Sequence, residues 1–279
     1  MPGIAIPIVY FSVFMAGAAT GSFLNALIYR LPRGLDFFKT FPFCPACGRR
    51  LRKGDLVPVF SYIALKRRRR CCGGAIPVRH LAVEVSCGLL AVLSWAAFLP
   101  PAAFLAHTLS PAGSGAAPGT GAVLLCALLY FAVLACLLVI AYIDHDTMEI
   151  PDSLSIAIAA CGVLAIFIGP DIGLKSHLIG IAVAAGPLFL IAVFIEGAFG
   201  FGDVKLMAAA GLFLGWQNCL VALFIGIIIG GVYGACMLLA KKKTGKEHFA
   251  FGPALCAGIG CAMFAGGAIS DWYFSLPGI

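Results

Sequence analysis

Two acidic side chains stand where long apolar runs end. Asp144 opens the polar stretch Asp144-His145-Asp146-Thr147-Met148-Glu149-Ile150-Pro151-Asp152, and Asp203 closes the turn Gly200-Phe201-Gly202-Asp203, with Lys205 two positions beyond. Charge within or at the ends of apolar spans is costly, which makes each such residue a functional candidate. Two carboxylates close together in a partly desolvated pocket repel one another and hold one proton between them. That is the state acid–base hydrolysis needs: the ionised member draws a proton from water while its neighbour protonates a carbonyl oxygen. Gly200 and Gly202 suit a tight turn and a close approach by an extended peptide backbone. The mundane alternative is a pair of helix caps or interfacial carboxylates. Asp146 competes with Asp144 for the role, and spacing leaves that choice open.

A second constellation uses sulfur. Cys44-Pro45-Ala46-Cys47-Gly48 has the two-residue spacing that lets both thiolates reach one tetrahedral zinc. A matching pair is expected downstream, but Cys71 and Cys72 stand side by side, an awkward arrangement for chelating one ion. The expected site holds zinc with Cys44, Cys47, Cys71 and Cys72, or with water or His80 in place of one of the last two. Metal binding would give this small polar segment a fold that its few apolar residues could not. The alternative is a reduced, metal-free loop.

The elements that must carry these groups are membrane spans. Of 279 residues, 62% are hydrophobic and 11% charged, far from a soluble domain. The expected fold is an all-α integral membrane bundle of about eight transmembrane helices with a small cysteine-containing cytoplasmic loop, because lipid offers no partner to unpaired backbone groups. Spans are predicted over 4–29, 81–99, 122–143, 154–168, 177–195 and 249–269. The apolar stretch 206–240 is too long for one span and is expected to break at 215–218. The corresponding segments are 1–30, the first helix; 31–80, the basic cysteine-containing loop; 81–121, the second helix with an external loop; and 122–279, the core that carries both aspartates.

The formal net charge of +7 is unevenly spread, because 12 of the 19 Lys and Arg lie between 31 and 80. That asymmetry predicts a cytoplasmic loop in contact with the lipid bilayer surface, an external N-terminus, both aspartates at the cytoplasmic face and an external C-terminus. Nucleic-acid binding is not expected, since no aromatic residues interleave with the charges. The N-terminus lacks the basic region of a cleavable signal. Eight further cysteines, from Cys87 to Cys261, read as small residues of the spans. Glu84 and Glu196 are candidates to shape a recess, bind a substrate amine or pair with a buried polar group. Asn25 is expected to hydrogen-bond between helices, and His145, His177 and His248 to lie on the surface.

These residues together resemble the type IV prepilin peptidases, a family that also acts as N-methyltransferases. The resemblance rests on Gly21-Ser22-Phe23-Leu24-Asn25 with Tyr29-Arg30-Leu31-Pro32, Cys44-Pro45-Ala46-Cys47-Gly48, Cys72-Gly73 through Ile76 to Val83-Glu84, Ile143-Asp144 with Asp146-Thr147 and Ile150-Pro151-Asp152, Gly200-Phe201-Gly202-Asp203-Val204-Lys205, and Phe251-Gly252-Pro253. It implies that Asp144 and Asp203 form an aspartyl dyad, that prepilin or pseudopilin precursors are cut at the inner membrane face, and that S-adenosylmethionine then methylates the new N-terminus. Arg69 stands where the family pattern has a cysteine, which opens the alternative of a peptidase without methyl transfer. No Gly-rich nucleotide fingerprint appears, so the S-adenosylmethionine site is unassigned. The rivals are a proton-coupled transporter, because intramembrane carboxylates also relay ions, and a scaffold whose loop docks a partner.

Overall fold

The computed structural model describes residues 2–35, 44, 46–50, 53–99, 120–168, 173–195, 199–239 and 250–275. Glu196, His248 and most of the expected external loop at 100–121 lie outside them. Among the described residues there is no strand, only an isolated antiparallel bridge between Arg68 and Ala75. The helices are α1 (Pro2–Arg30), α2 (Phe60–Ala64), α3 (Val78–Phe98), α4 (Thr120–Thr147), α5 (Asp152–Ile168), α6 (Leu174–Phe194), α7 (Phe201–Leu239) and α8 (Gly252–Phe274).

Six of these helices are long and apolar enough to cross a membrane, and α5, at 17 residues, is a shorter apolar helix. Helix α7 runs for 39 residues but breaks at Gly215, where φ 75° and ψ 172° are open essentially to glycine alone. The eight expected apolar helical segments are therefore present, with the break inside the predicted window. Such a break interrupts the backbone ladder and leaves carbonyls of the preceding turn in need of donors. Two side chains supply them. His177 Nδ1 lies 2.8 Å from Leu212 O, and since a carbonyl only accepts, Nδ1 carries the proton. Asn218 Nδ2 donates to Leu214 O at 3.4 Å. His177 is 2% exposed, so the expectation of a surface histidine is corrected: the helix break buries it as a cap.

The chain divides into two compact units, residues 1–131 and 132–279, with the boundary inside α4. In the first, α1 packs on α3 through small residues. A Cβ on Gly21 would lie 2.8 Å from Glu84 Cα, and one on Gly88 would strike the Phe14 ring. In the second, α7 is the centre, packed on α5, α6 and α8. Gly180 and Gly211 bring the α6 and α7 backbones into direct contact, Gly162 sets α5 against Leu212 and Phe213, and Gly258 sets α8 against Ala222 and Gly226. Without a hydrophobic driving force between helices in lipid, this close approach is what makes dispersion contacts and fixes helix ends.

Candidate active site and cysteine cluster

Helix α4 continues past the last apolar residue. It ends where Met148 adopts φ 56° and its N–H bonds to Asp144 O at 2.8 Å, so Asp144 lies inside the final turn. Helix α7 likewise starts earlier than its apolar pattern, because Asp203 is its third residue. The Asp203 Oδ2 accepts the Gly200 N–H at 3.2 Å, satisfying the orphan donor before the helix as the acidic half of a capping box does. Neither Gly200 nor Gly202 has positive φ. Gly202 is small for another reason: a Cβ there would lie 3.0 Å from Ile150 Cβ, so its value is close packing of the 200–205 segment on the one that precedes α5.

The two carboxylates, 59 positions apart in sequence, line one open cavity of about 470 Å³ together with Met148, Glu149, Ile150, Asp152, Gly200, Phe201, Gly202 and Lys205. Asp144 is 5% exposed and Asp203 7%. Asp146 is exposed and not among the lining residues, which separates it from Asp144 where spacing could not. Lys205 Nζ reaches both Asp152 oxygens, at 2.8 and 2.9 Å, on the cavity's exposed side. Sequence reasoning left Gly252 without a role. Its N–H donates to Asp144 Oδ2 at 2.9 Å across 108 positions, and only the sequence Phe251-Gly252-Pro253 hinted at it. The arrangement suits proton exchange with a water between two buried carboxylates that open onto solvent.

Glu84 belongs to the first unit and serves the polar segment. Its Oε2 accepts the Val59 N–H at 2.8 Å and Ser22 also bonds to it. Val59 has φ 61°, a strained conformation for a β-branched residue, and Glu84 helps hold it. Asn25 Nδ2 donates to His80 O at 3.1 Å, bonding α1 to α3 as expected of an interhelical asparagine.

The four loop cysteines converge: the sulfurs of Cys44, Cys47, Cys71 and Cys72 all lie within 4.8 Å of one another. Zn–S bonds of about 2.3 Å at tetrahedral angles put sulfurs about 3.8 Å apart. The observed Cys44–Cys72 and Cys71–Cys72 separations are 4.0 and 3.9 Å, so the donor set fits that ion. Two turns of the same design achieve this. In the first, Cys44 N–H bonds to Arg49 O and Gly48 N–H to Cys44 O, each at 2.8 Å, with Gly48 at φ 70°. In the second, Arg69 N–H bonds to Gly74 O and Gly73 N–H to Arg69 O, again at 2.8 Å, with Gly73 at φ 69°. Arg69 thus occupies the first-cysteine position of the second turn. Cys71 contributes the sulfur instead, and Arg69 Nη1 donates to Cys44 Sγ at 3.7 Å.

Burial raises the Cys44 thiol, but hydrogen bonds from the Ala46 and Cys47 amides and the neighbouring thiols outweigh it and bring it down to about 6. Hydrogen bonding with Cys47, then burial, pushes Cys71 up to about 12. The lowered Cys44 favours the thiolate form that binds metal, while the raised Cys71 has a proton to lose before it can do so.

Comparison with known proteins agrees with this division. A family model described as the type IV leader peptidase family matches residues 131–235, and one described as the bacterial peptidase A24 N-terminal domain matches 15–98. The prepilin leader peptidase/N-methyltransferase of Aeromonas salmonicida (strain A449) is 31% identical over 303 residues, covering 97% of this chain and 96% of its own. The protein of that name from Bacillus subtilis (strain 168) is 29% identical, covering 95% of this chain and 97% of its own. The Klebsiella pneumoniae protein is 34% identical, covering 74% and 85%. No solved structure matches. Six long apolar helices, a cavity that joins two distant buried aspartates, and similarity along nearly the whole chain lead to one conclusion: this multi-pass membrane protein belongs to the type IV leader peptidase family.

Proposed function

We propose that the protein is a prepilin leader peptidase that hydrolyses prepilin or pseudopilin precursors with Asp144 and Asp203 as an aspartyl dyad. The observation that carries this reading is the convergence of both carboxylates, nearly buried, on one solvent-open cavity. In the reaction, the ionised carboxylate removes a proton from a water as its oxygen bonds to the scissile carbonyl carbon. The protonated carboxylate gives its proton to the carbonyl oxygen. Collapse of the tetrahedral intermediate breaks the C–N bond, the departing amine takes up a proton, and the dyad returns to one shared proton. The apparent pH behaviour belongs to the pair rather than to either residue.

The active site faces the cytoplasm in this reading, and both termini are external. The support is the concentration of 12 of 19 Lys and Arg in 31–80. Cys44, Cys47, Cys71 and Cys72 hold a structural zinc, which ties two turns of an otherwise polar segment together. A second activity, N-methylation of the new N-terminus, comes from the relatives' names. S-adenosylmethionine supplies the methyl group when bound, and no residue of this chain is assigned to it. The whole reading is tested by incubating purified protein with a prepilin and S-adenosylmethionine and measuring substrate mass. Loss of the leader followed by a gain of one methyl supports both activities. An unchanged mass rejects them, and leader loss alone leaves a peptidase without methyl transfer.

A further inference from the structure

We propose that Gly252 is a positioning residue of the dyad, holding Asp144 through its backbone N–H and through the absence of a side chain. The proposal rests on Asp144 acting as described above. Helix α8 begins at Gly252, with Phe251 just before it and Pro253 at its second position. The first turn of a helix carries N–H groups with no partner inside the helix. Here Pro253 has none, Ala254 and Leu255 donate to Phe251 O at 3.0 and 3.2 Å, and the Gly252 N–H remains. That N–H goes to Asp144 Oδ2 at 2.9 Å, a buried bond to a carboxylate at the start of a helix, where the dipole favours negative charge.

The second half of the evidence is steric. A Cβ on residue 252 would lie 2.6 Å from Asp144 Oδ2, 2.9 Å from Cγ and 3.2 Å from Cβ, so the carboxylate fills the volume that any other residue would need. The start of α8 is itself anchored. Phe251 lies against Gly230 of α7, whose added Cβ would meet the ring, with Cδ2 at 2.8 Å, and the Phe199 ring packs edge-on at 5.0 Å. One Asp144 oxygen is thereby tied to α8, which leaves the other for the exchange of a proton. The type IV leader peptidase match ends at residue 235, so this third component lies beyond it.

The test is steady-state cleavage of a prepilin by Gly252→Ala, with Gly267→Ala on the same helix as control, since no atom lies within 4 Å of a Cβ there. Displacing a reacting carboxylate by about 1 Å can cost about a hundredfold in rate. Gly252→Ala is therefore expected to lose at least about tenfold in kcat with KM within about twofold, while Gly267→Ala matches the parent. Wild-type kcat in Gly252→Ala, or a change confined to KM, overturns the proposal. If Gly252→Ala does not fold, Gly230→Ala decides: pressing on Phe251 should lower kcat and spare KM, and an unchanged kcat overturns the proposal. Asp144→Asn runs in parallel. If it still cleaves, the dyad reading fails and takes this inference with it; if Asp144→Asn is inactive and Gly252→Ala is fully active, only this inference fails.

Discussion

The dyad cavity and the cysteine cluster bring distant residues together by opposite means. Around Asp144 and Asp203 the work is done by helix ends whose positions follow from direct backbone contacts, Gly180 on Gly211 and Gly258 on Gly226, and by capping bonds from Gly200 and Gly252. Around Cys44 the backbone contributes two short glycine-closed turns, and the sulfurs supply the rest. The first kind of site is held by its helix packing. The second gains its order from whatever its four sulfurs hold.

Removing the metal should expose that contrast most strongly. Changing both Cys44 and Cys47 to Ser is expected to take zinc from about one per chain to none, by metal analysis, and to open residues 44–76 to limited proteolysis. Leader cleavage should persist in the same variant. Loss of cleavage equal to that of an Asp144 variant would show that the two regions are not separable.

Crowding the cavity's scaffold comes next. Gly211→Val places branched carbon against the Gly180 backbone, and overpacking of this sort costs about 1–3 kcal/mol. The expected result is a lower unfolding temperature in detergent with unchanged zinc content, and an unchanged temperature would remove the close crossing from the account. His177→Ala is expected to cost less, about 1 kcal/mol, for one buried carbonyl that loses its donor. Hydrogen exchange near residues 212–216 should rise in that variant and stay level elsewhere. Smallest of all, Lys205→Met breaks an ion pair whose partners are 56% and 61% exposed, which contributes about 0–1 kcal/mol. Its unfolding temperature should match the parent's, so a substantial drop would show that the pair holds the mouth of the cavity.

Much of this was legible from residue order because lipid makes it so. Apolar length dictated the helical segments, and Gly215 fell inside the predicted break at 215–218. The aspartates announced themselves because charge at the end of an apolar run needs a reason. What stayed hidden was chemistry without a distinctive side chain. Gly252 acts through a backbone N–H, 108 positions from its acceptor, and nothing in its type separates it from the chain's other glycines. Nothing in the residue order marks His177 for burial, because its partner, Leu212 O, is freed only by the helix break. Cys71 looked out of register because spacing rules count residues, whereas the turn from Arg69 to Gly74 fixes where each sulfur points. Spacing does not separate Asp146 from Asp144, whereas burial and the lining of the cavity do.

In the proposed reaction Asp144 and Asp203 act as one unit. The direct measurement is the cleavage rate of a prepilin by Asp144→Asn, Asp203→Asn and the double variant, each with zinc content and unfolding temperature recorded. Residues that act together are grossly non-additive, so each single variant should lose about as much rate as the double, on the order of a thousandfold or more, while remaining folded and metal-bound. Substantial cleavage by either folded single variant, or losses that simply multiply in the double, would contradict it.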